Sequence, residues 1–207
     1  MTTWTCKGLL AGAACLALAG CDDFPGLAPS ASQALTSAQL GRVMLVPPTG
    51  YCVDKRSLRQ SFALMARCDT LGGDASGGAP LALITATTAP AVGGVRADDL
   101  GNGQETVLSR SDTDTLSLIQ VRGTPPNARL RDVYWRAAGR VGDQVVGLAI
   151  YEAAQGANLG TLAPDMLKQT MQRTQDQSAA IQPAQQDNSA TTPTKRSGNG
   201  FLAGLFE

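Results

Sequence analysis

The chain contains no histidine, and its 17 basic side chains are balanced by 17 acidic ones. Without histidine there is no Ser-His-Asp or Cys-His apparatus, and the commonest general base and metal ligand are both missing. Zero net charge provides no electrostatic footprint for nucleic acid and argues against an extended polybasic membrane patch. Nucleic acid is therefore not an expected partner. No G-x-S-x-G, glycine-rich phosphate loop or H-E-x-x-H occurs in the sequence. Paired carboxylates can hydrolyse a glycoside without histidine, but Glu105, Glu152 and Glu207 with many loop aspartates single out no pair.

What is present begins at the amino terminus. Lys7 and the free amine form a short positive region ahead of an apolar run from Gly8 to Ala17. That run is only about half of the roughly 20 residues a membrane-spanning helix needs. With Leu18-Ala19-Gly20-Cys21 after it, the segment reads as a targeting sequence to be set aside from fold reasoning. The tetrad resembles the lipobox of bacterial lipoproteins at all four positions. The resemblance implies diacylglycerol on the Cys21 thiol and cleavage just before it, hence a lipid anchor in the bacterial cell membrane with the protein facing the periplasm. Each buried methylene contributes about 0.8 kcal/mol, so two or three acyl chains hold such a protein firmly. Asp22 and Asp23 follow; an aspartate there resembles an inner-membrane retention signal, but the rule varies among bacteria and leaves inner versus outer membrane open.

Of five cysteines, Cys6 and Cys15 leave with the signal segment and Cys21 carries lipid. Cys52 and Cys68 remain. In an oxidising periplasm a disulfide between them is the expectation, contributing about 3 kcal/mol for a loop of that size. There is no C-x-x-C, and two thiolates without histidine are too few for a structural zinc site. No metal or other cofactor is expected.

The organisation expected is a signal peptide at 1–20, a lipidated tether at 21–39, a globular domain at 40–171, a polar linker at 172–200 and an apolar terminal segment at 201–207. Within the domain, short apolar runs alternate with Gly, Pro and Asp clusters. Val43–Val46, Gly50–Asp54, Ser61–Cys68, Leu81–Thr87, Thr106–Leu108 and Thr115–Val121 read as strands. Leu58, Phe62 and Met65 also share a helical face, so a helix there stays open. The clearest element is a hairpin of Asp132–Arg140 and Gln144–Tyr151 about a turn at Val141-Gly142-Asp143. Val133, Trp135 and Ala137 should face one way, Tyr134, Arg136 and Ala138 the other. A helix follows, with Pro164 and Asp165 in its first turn and Leu162, Met166, Leu167 and Met171 on one stripe.

Beyond it, six glutamines and Ile181 as the single large aliphatic residue between Gln172 and Gly200 suit a polar linker. The ending Phe201-Leu202-Ala203-Gly204-Leu205-Phe206-Glu207 has the composition of a docking peptide, with Phe201, Leu202, Leu205 and Phe206 as partner-binding residues. Its alternatives are folding back onto the domain or touching the bilayer. Two loop groups are candidate sites. Asp98-Asp99, Gly101-Asn102-Gly103 and Ser111-Asp112-Thr113-Asp114 bring together oxygen ligands of the kind calcium takes, but lack an EF-hand loop; such residues also build turns. Lys55, Arg56 and Arg59 with Arg122, Arg129 and Arg131 would bind an anion if they converged.

The fold class expected is α+β: an antiparallel sheet of five to seven short strands covered by a carboxy-terminal helix, with an all-β sandwich as alternative. The order of elements resembles the PsbP-like α-β-α sandwich, without a shared motif that would transfer functional residues. The function expected is that of a non-catalytic, membrane-anchored envelope lipoprotein serving an envelope protein partner as an interaction, accessory or assembly factor. A periplasmic carrier of lipids or small molecules and a histidine-free hydrolase are the alternatives.

Overall fold

The computed structural model of the chain describes residues 32–93, 95–100, 103–156 and 159–189. They form β1 (Ala34–Leu35), β2 (Ala38–Leu40), β3 (Val43–Leu45), β4 (Tyr51–Asp54), β5 (Phe62–Arg67), β6 (Ala82–Pro90), β7 (Thr106–Asp112), β8 (Leu116–Arg122), β9 (Val133–Val141), β10 (Gln144–Glu152) and α1 (Leu162–Ser189). Eight strands make one antiparallel sheet in the order β1-β4-β5-β6-β10-β9-β8-β7, and β2 and β3 make a separate hairpin. The protein is therefore α+β, with one long helix against a sheet larger than the five to seven strands expected. That helix excludes the all-β sandwich.

Period-two alternation sets the two faces of the sheet. Met65, Ile84, Leu148, Ile150, Ala137 and Leu118 point toward α1 and the β2–β3 hairpin, whose Leu40, Val43 and Leu45 are buried with them. Leu167 and Met171 of α1 complete this core. On the opposite face, Ile119, Val121, Tyr134, Ala138, Ala149 and Tyr151 form a second cluster under the β6–β7 connection, with Ala97 and Leu100 as its lid. The β9–β10 hairpin matches its sequence reading: Trp135 and Ala137 face the helix, Tyr134 and Ala138 the second cluster. Its turn is the two-residue Gly142-Asp143, between paired Val141 and Gln144, with Gly142 at φ 59°. Gly139 is required by α1: a β-carbon there would lie 2.8 Å from Met171 Sδ.

Two boundaries differ from the sequence reading. Strand pairing begins at Ala34, opposite Asp54, inside the segment expected as tether, because Leu35 packs on the main core. The helix runs to Ser189 rather than yielding to a linker at Gln172. Its buried stripe continues past Met171, but with Thr174 and Ser178 instead of apolar residues. The strand expected over Ser61–Cys68 is present as Phe62–Arg67, with Phe62–Met65 paired to β6, which excludes the helical alternative there; 3-10 turns at Lys55–Ser57 and Cys68–Leu71 flank it. Among the described residues, no helix is long and apolar enough to cross a membrane.

Candidate functional site

The helix-facing side of the sheet is left incompletely covered where α1 begins. Register places Gln120 of β8 beside Trp135 of β9, and Trp135 beside Ile150 of β10. Two residues further along β10, Glu152 points to the same side. These residues, with Arg131, Leu159 and Ala163, line a cavity of about 80 Å³. Glu152 is 6% exposed, and its Oε1 has no hydrogen-bond partner. Its Oε2 lies 3.5 Å from Arg131 Nε, longer than a normal hydrogen bond. Arg131 is held by its backbone, whose N–H donates to the Glu152 carbonyl at 2.9 Å. The arrangement is a half-engaged pair of opposite charges with apolar walls from Ile150 and Leu159.

A second polar cluster sits on the opposite face and is closed. Arg136 and Glu105 are 2.5 Å apart and about nine-tenths buried, at 11% and 10% side-chain exposure. The Tyr134 hydroxyl donates to Glu105 Oε1 at 3.1 Å and accepts from Arg136 Nη2 at 3.3 Å. Arg136 also lies over the Tyr134 ring, 5.4 Å from its centroid, and Tyr151 packs on that ring at 4.6 Å. Burial pushes the Tyr134 phenol up to about 12, with the Glu105 hydrogen bond adding and Arg136 opposing. Glu105, Tyr134 and Arg136 are bonded to one another, so the cluster fastens the β6–β7 connection to the sheet rather than offering a binding surface. No sequence signal singled out Glu105, which lies in a loop of turn-forming residues.

The disulfide between Cys52 and Cys68 is formed, with the Cα atoms 4.8 Å apart. It ties β4 to the 3-10 turn after β5. Among the loop acids, Asp98 pairs through Oδ2 with Arg110 while its buried Oδ1 has no hydrogen-bond partner, and Arg110 also lies 3.7 Å from Asp112. Asp112 also accepts from Ser117 at 2.6 Å. Among the described residues, no three Cys, Asp or Glu side chains are grouped to hold a metal ion. The two basic groups do not converge. Arg56 and Arg59 lie at the end of the sheet where Phe62 meets Thr87, and Arg122 and Arg131 at the end where Ala82 meets Glu152. Arg56 bonds Asp54, Arg59 bonds the carbonyls of Arg56 and Leu58, and Arg122 lies 3.7 Å from Asp132. Cys21, Phe201, Leu202, Leu205 and Phe206 lie outside the described residues. No protein-family model matches the chain, and no curated protein matches it.

Proposed function

We propose that the chain is a non-catalytic lipoprotein of the bacterial cell envelope, anchored through lipid on Cys21 and facing the periplasm, where it serves another envelope protein as an interaction, accessory or assembly factor. The observation that supports this reading best is the division of the cysteines. Cys21 ends the lipobox-like tetrad, and the two cysteines after it are bonded to each other. Disulfides persist in oxidising compartments such as the periplasm. The space between helix and sheet is filled by Leu40, Met65, Ile84, Leu148, Ile150 and Leu167, each at most 1% exposed. The groove of about 460 Å³ between β7, β8 and α1 is bordered mostly by polar residues, among them Ser111, Thr113, Lys168, Gln172 and Asp176, a lining poorly suited to an acyl chain. Both facts favour an interaction protein over a lipid carrier. In this reading the terminal Phe201–Glu207 peptide is the docking element.

Metabolic labelling with an alkyne fatty acid tests the anchor. The chain should take up the label, and Cys21→Ala should abolish both labelling and cleavage; a Cys21→Ala chain that is still labelled or still cut at the same bond refutes the lipoprotein reading. A photo-cross-linking residue at Phe206 should capture one envelope protein reproducibly in membranes. Cross-links to lipid or to the chain itself would refute the docking peptide.

A further inference from the structure

We propose that the turn between β4 and β5 is a contact surface for anionic phospholipid headgroups of the membrane that holds Cys21. The inference rests on the lipid anchor proposed above and adds to it a face of the folded domain. The charge that balances over the whole chain does not balance here. Lys55, Arg56 and Arg59 are all exposed, and the acid beside them, Asp54, is engaged by Arg56. Lys55 and Arg59 have no acidic partner among the described residues. Arg59 Nη1 donates instead to the carbonyls of Arg56 and Leu58 at 3.1 and 2.8 Å, which positions its charge without cancelling it. Elsewhere Arg42, Arg67, Arg122 and Arg131 each face an acid. The turn is also fastened: Ser57 Oγ donates to the Asp54 carbonyl at 2.7 Å and accepts from the Leu64 N–H at 2.8 Å. Little ordering is therefore left for binding to supply.

The second ground is position. The Lys55 N–H donates to the Gln33 carbonyl at 2.9 Å, and Ala34 pairs with Asp54, so the chain coming from Cys21 joins the domain at this turn. The stretch from Cys21 to Gln33 spans at most about 40 Å, which keeps the turn within reach of the bilayer. Two unmatched charges are too few to recruit a free protein, at roughly five-fold in binding for each basic side chain at an anionic surface. Beside an anchor they meet the headgroups at high effective concentration, and the second signal adds to the first. Leu58, the large apolar residue of the turn, packs on the main core, so the contact is electrostatic and stays at the level of the headgroups.

The test uses the processed full chain carrying Gln60→Cys, an exposed position in the turn. With Cys21 lipidated and Cys52 bonded to Cys68, a fluorophore goes to that thiol alone. Its quenching by a headgroup-labelled lipid is read in vesicles of phosphatidylcholine alone and of phosphatidylcholine mixed equally with phosphatidylglycerol. Quenching should be strong in the anionic vesicles, weak in the neutral ones and relieved by salt. Lys55→Ala and Arg59→Ala should each weaken the contact about five-fold, Arg59→Lys should retain it, and Arg122→Ala, at the other end of the sheet, should leave it unchanged. The mass of the purified chain reports separately whether Cys21 carries lipid. A lipid-free chain overturns the anchor and the contact together. A lipidated chain quenched equally in both vesicles, or undiminished in the double variant of Lys55→Ala and Arg59→Ala, overturns the contact alone. So does a loss in Arg122→Ala as large as that in Lys55→Ala.

Discussion

Arg136 projects from the middle of β9 onto the sheet face that α1 does not cover, and among the described residues Glu105 is the acid paired with it. A buried ion pair adds little net stability, but removing one partner strands the other charge at a cost of about 3–5 kcal/mol. Glu105→Ala should therefore lower unfolding free energy by about that amount, measured by urea denaturation, and the double change Glu105→Leu with Arg136→Met should recover most of it. The three tyrosines titrate with the fold as well. Burial raises Tyr51 and Tyr134 to about 12 and Tyr151 in the same direction, against the opposing fields of Arg67 for Tyr51 and Arg136 for the other two. A phenol whose folded pKa exceeds its unfolded value of about 10 stabilises fully below that pH and loses its contribution as pH rises toward 12. Tyrosinate absorbance of the native protein at pH 10 should consequently be well below that of the unfolded chain, increasing at higher pH or with unfolding. Normal titration near pH 10 would contradict the burial of all three.

At the scale of elements, α1 is fastened by more than its apolar stripe. Met44 N–H donates to Ser178 Oγ at 2.9 Å, Val46 N–H to Thr174 Oγ1 at 3.1 Å and Thr49 N–H to Gln169 Oε1 at 3.0 Å. The helix thus caps the free edge of β3 with side chains where another strand would use its backbone. Thr174→Val keeps the shape but orphans a buried N–H, and should destabilise by about 1–3 kcal/mol, with faster hydrogen exchange at Val46 confined to the β2–β3 hairpin. The apolar part of the stripe was legible at Met166, Leu167 and Met171, but Leu162, expected on it, is 53% exposed and Ala163 is buried in its place. The continuation of the stripe was not legible, because a buried threonine or serine has no signature in a hydrophobicity pattern; only a facing backbone donor explains it. For the same reason β1 was missed: two residues, Ala34 and Leu35, become a strand only because β4 lies beside them.

For the whole molecule, the Cys52–Cys68 bond closes a loop of sequence separation 16 around the β4–β5 connection. Replacing both cysteines by alanine should cost about 3 kcal/mol through the unfolded state, visible as a lower thermal midpoint with unchanged far-ultraviolet circular dichroism. Because β4 and β5 already pair directly through Cys52↔Ala66 and Val53↔Met65, the fold should survive this loss. An unfolded double variant would mean that strand pairing there depends on the bond.

The sequence by itself determined the features that rest on local chemistry. Alternation in β9 and β10, the Gly142-Asp143 turn and the first turns of α1 follow from side-chain period and turn stereochemistry. Cys52 and Cys68 are the two cysteines that follow the lipobox-like tetrad, so their pairing was the expectation by counting, and the bond is formed. Tertiary structure alone decided what depends on distant neighbours: the order of the eight strands, the Glu105–Arg136 lock across the β6–β7 connection, and the approach of Arg131 to Glu152 beside Gln120 and Trp135. No local pattern encodes those meetings, because each is set by strand register and by the gap α1 leaves at its first turn.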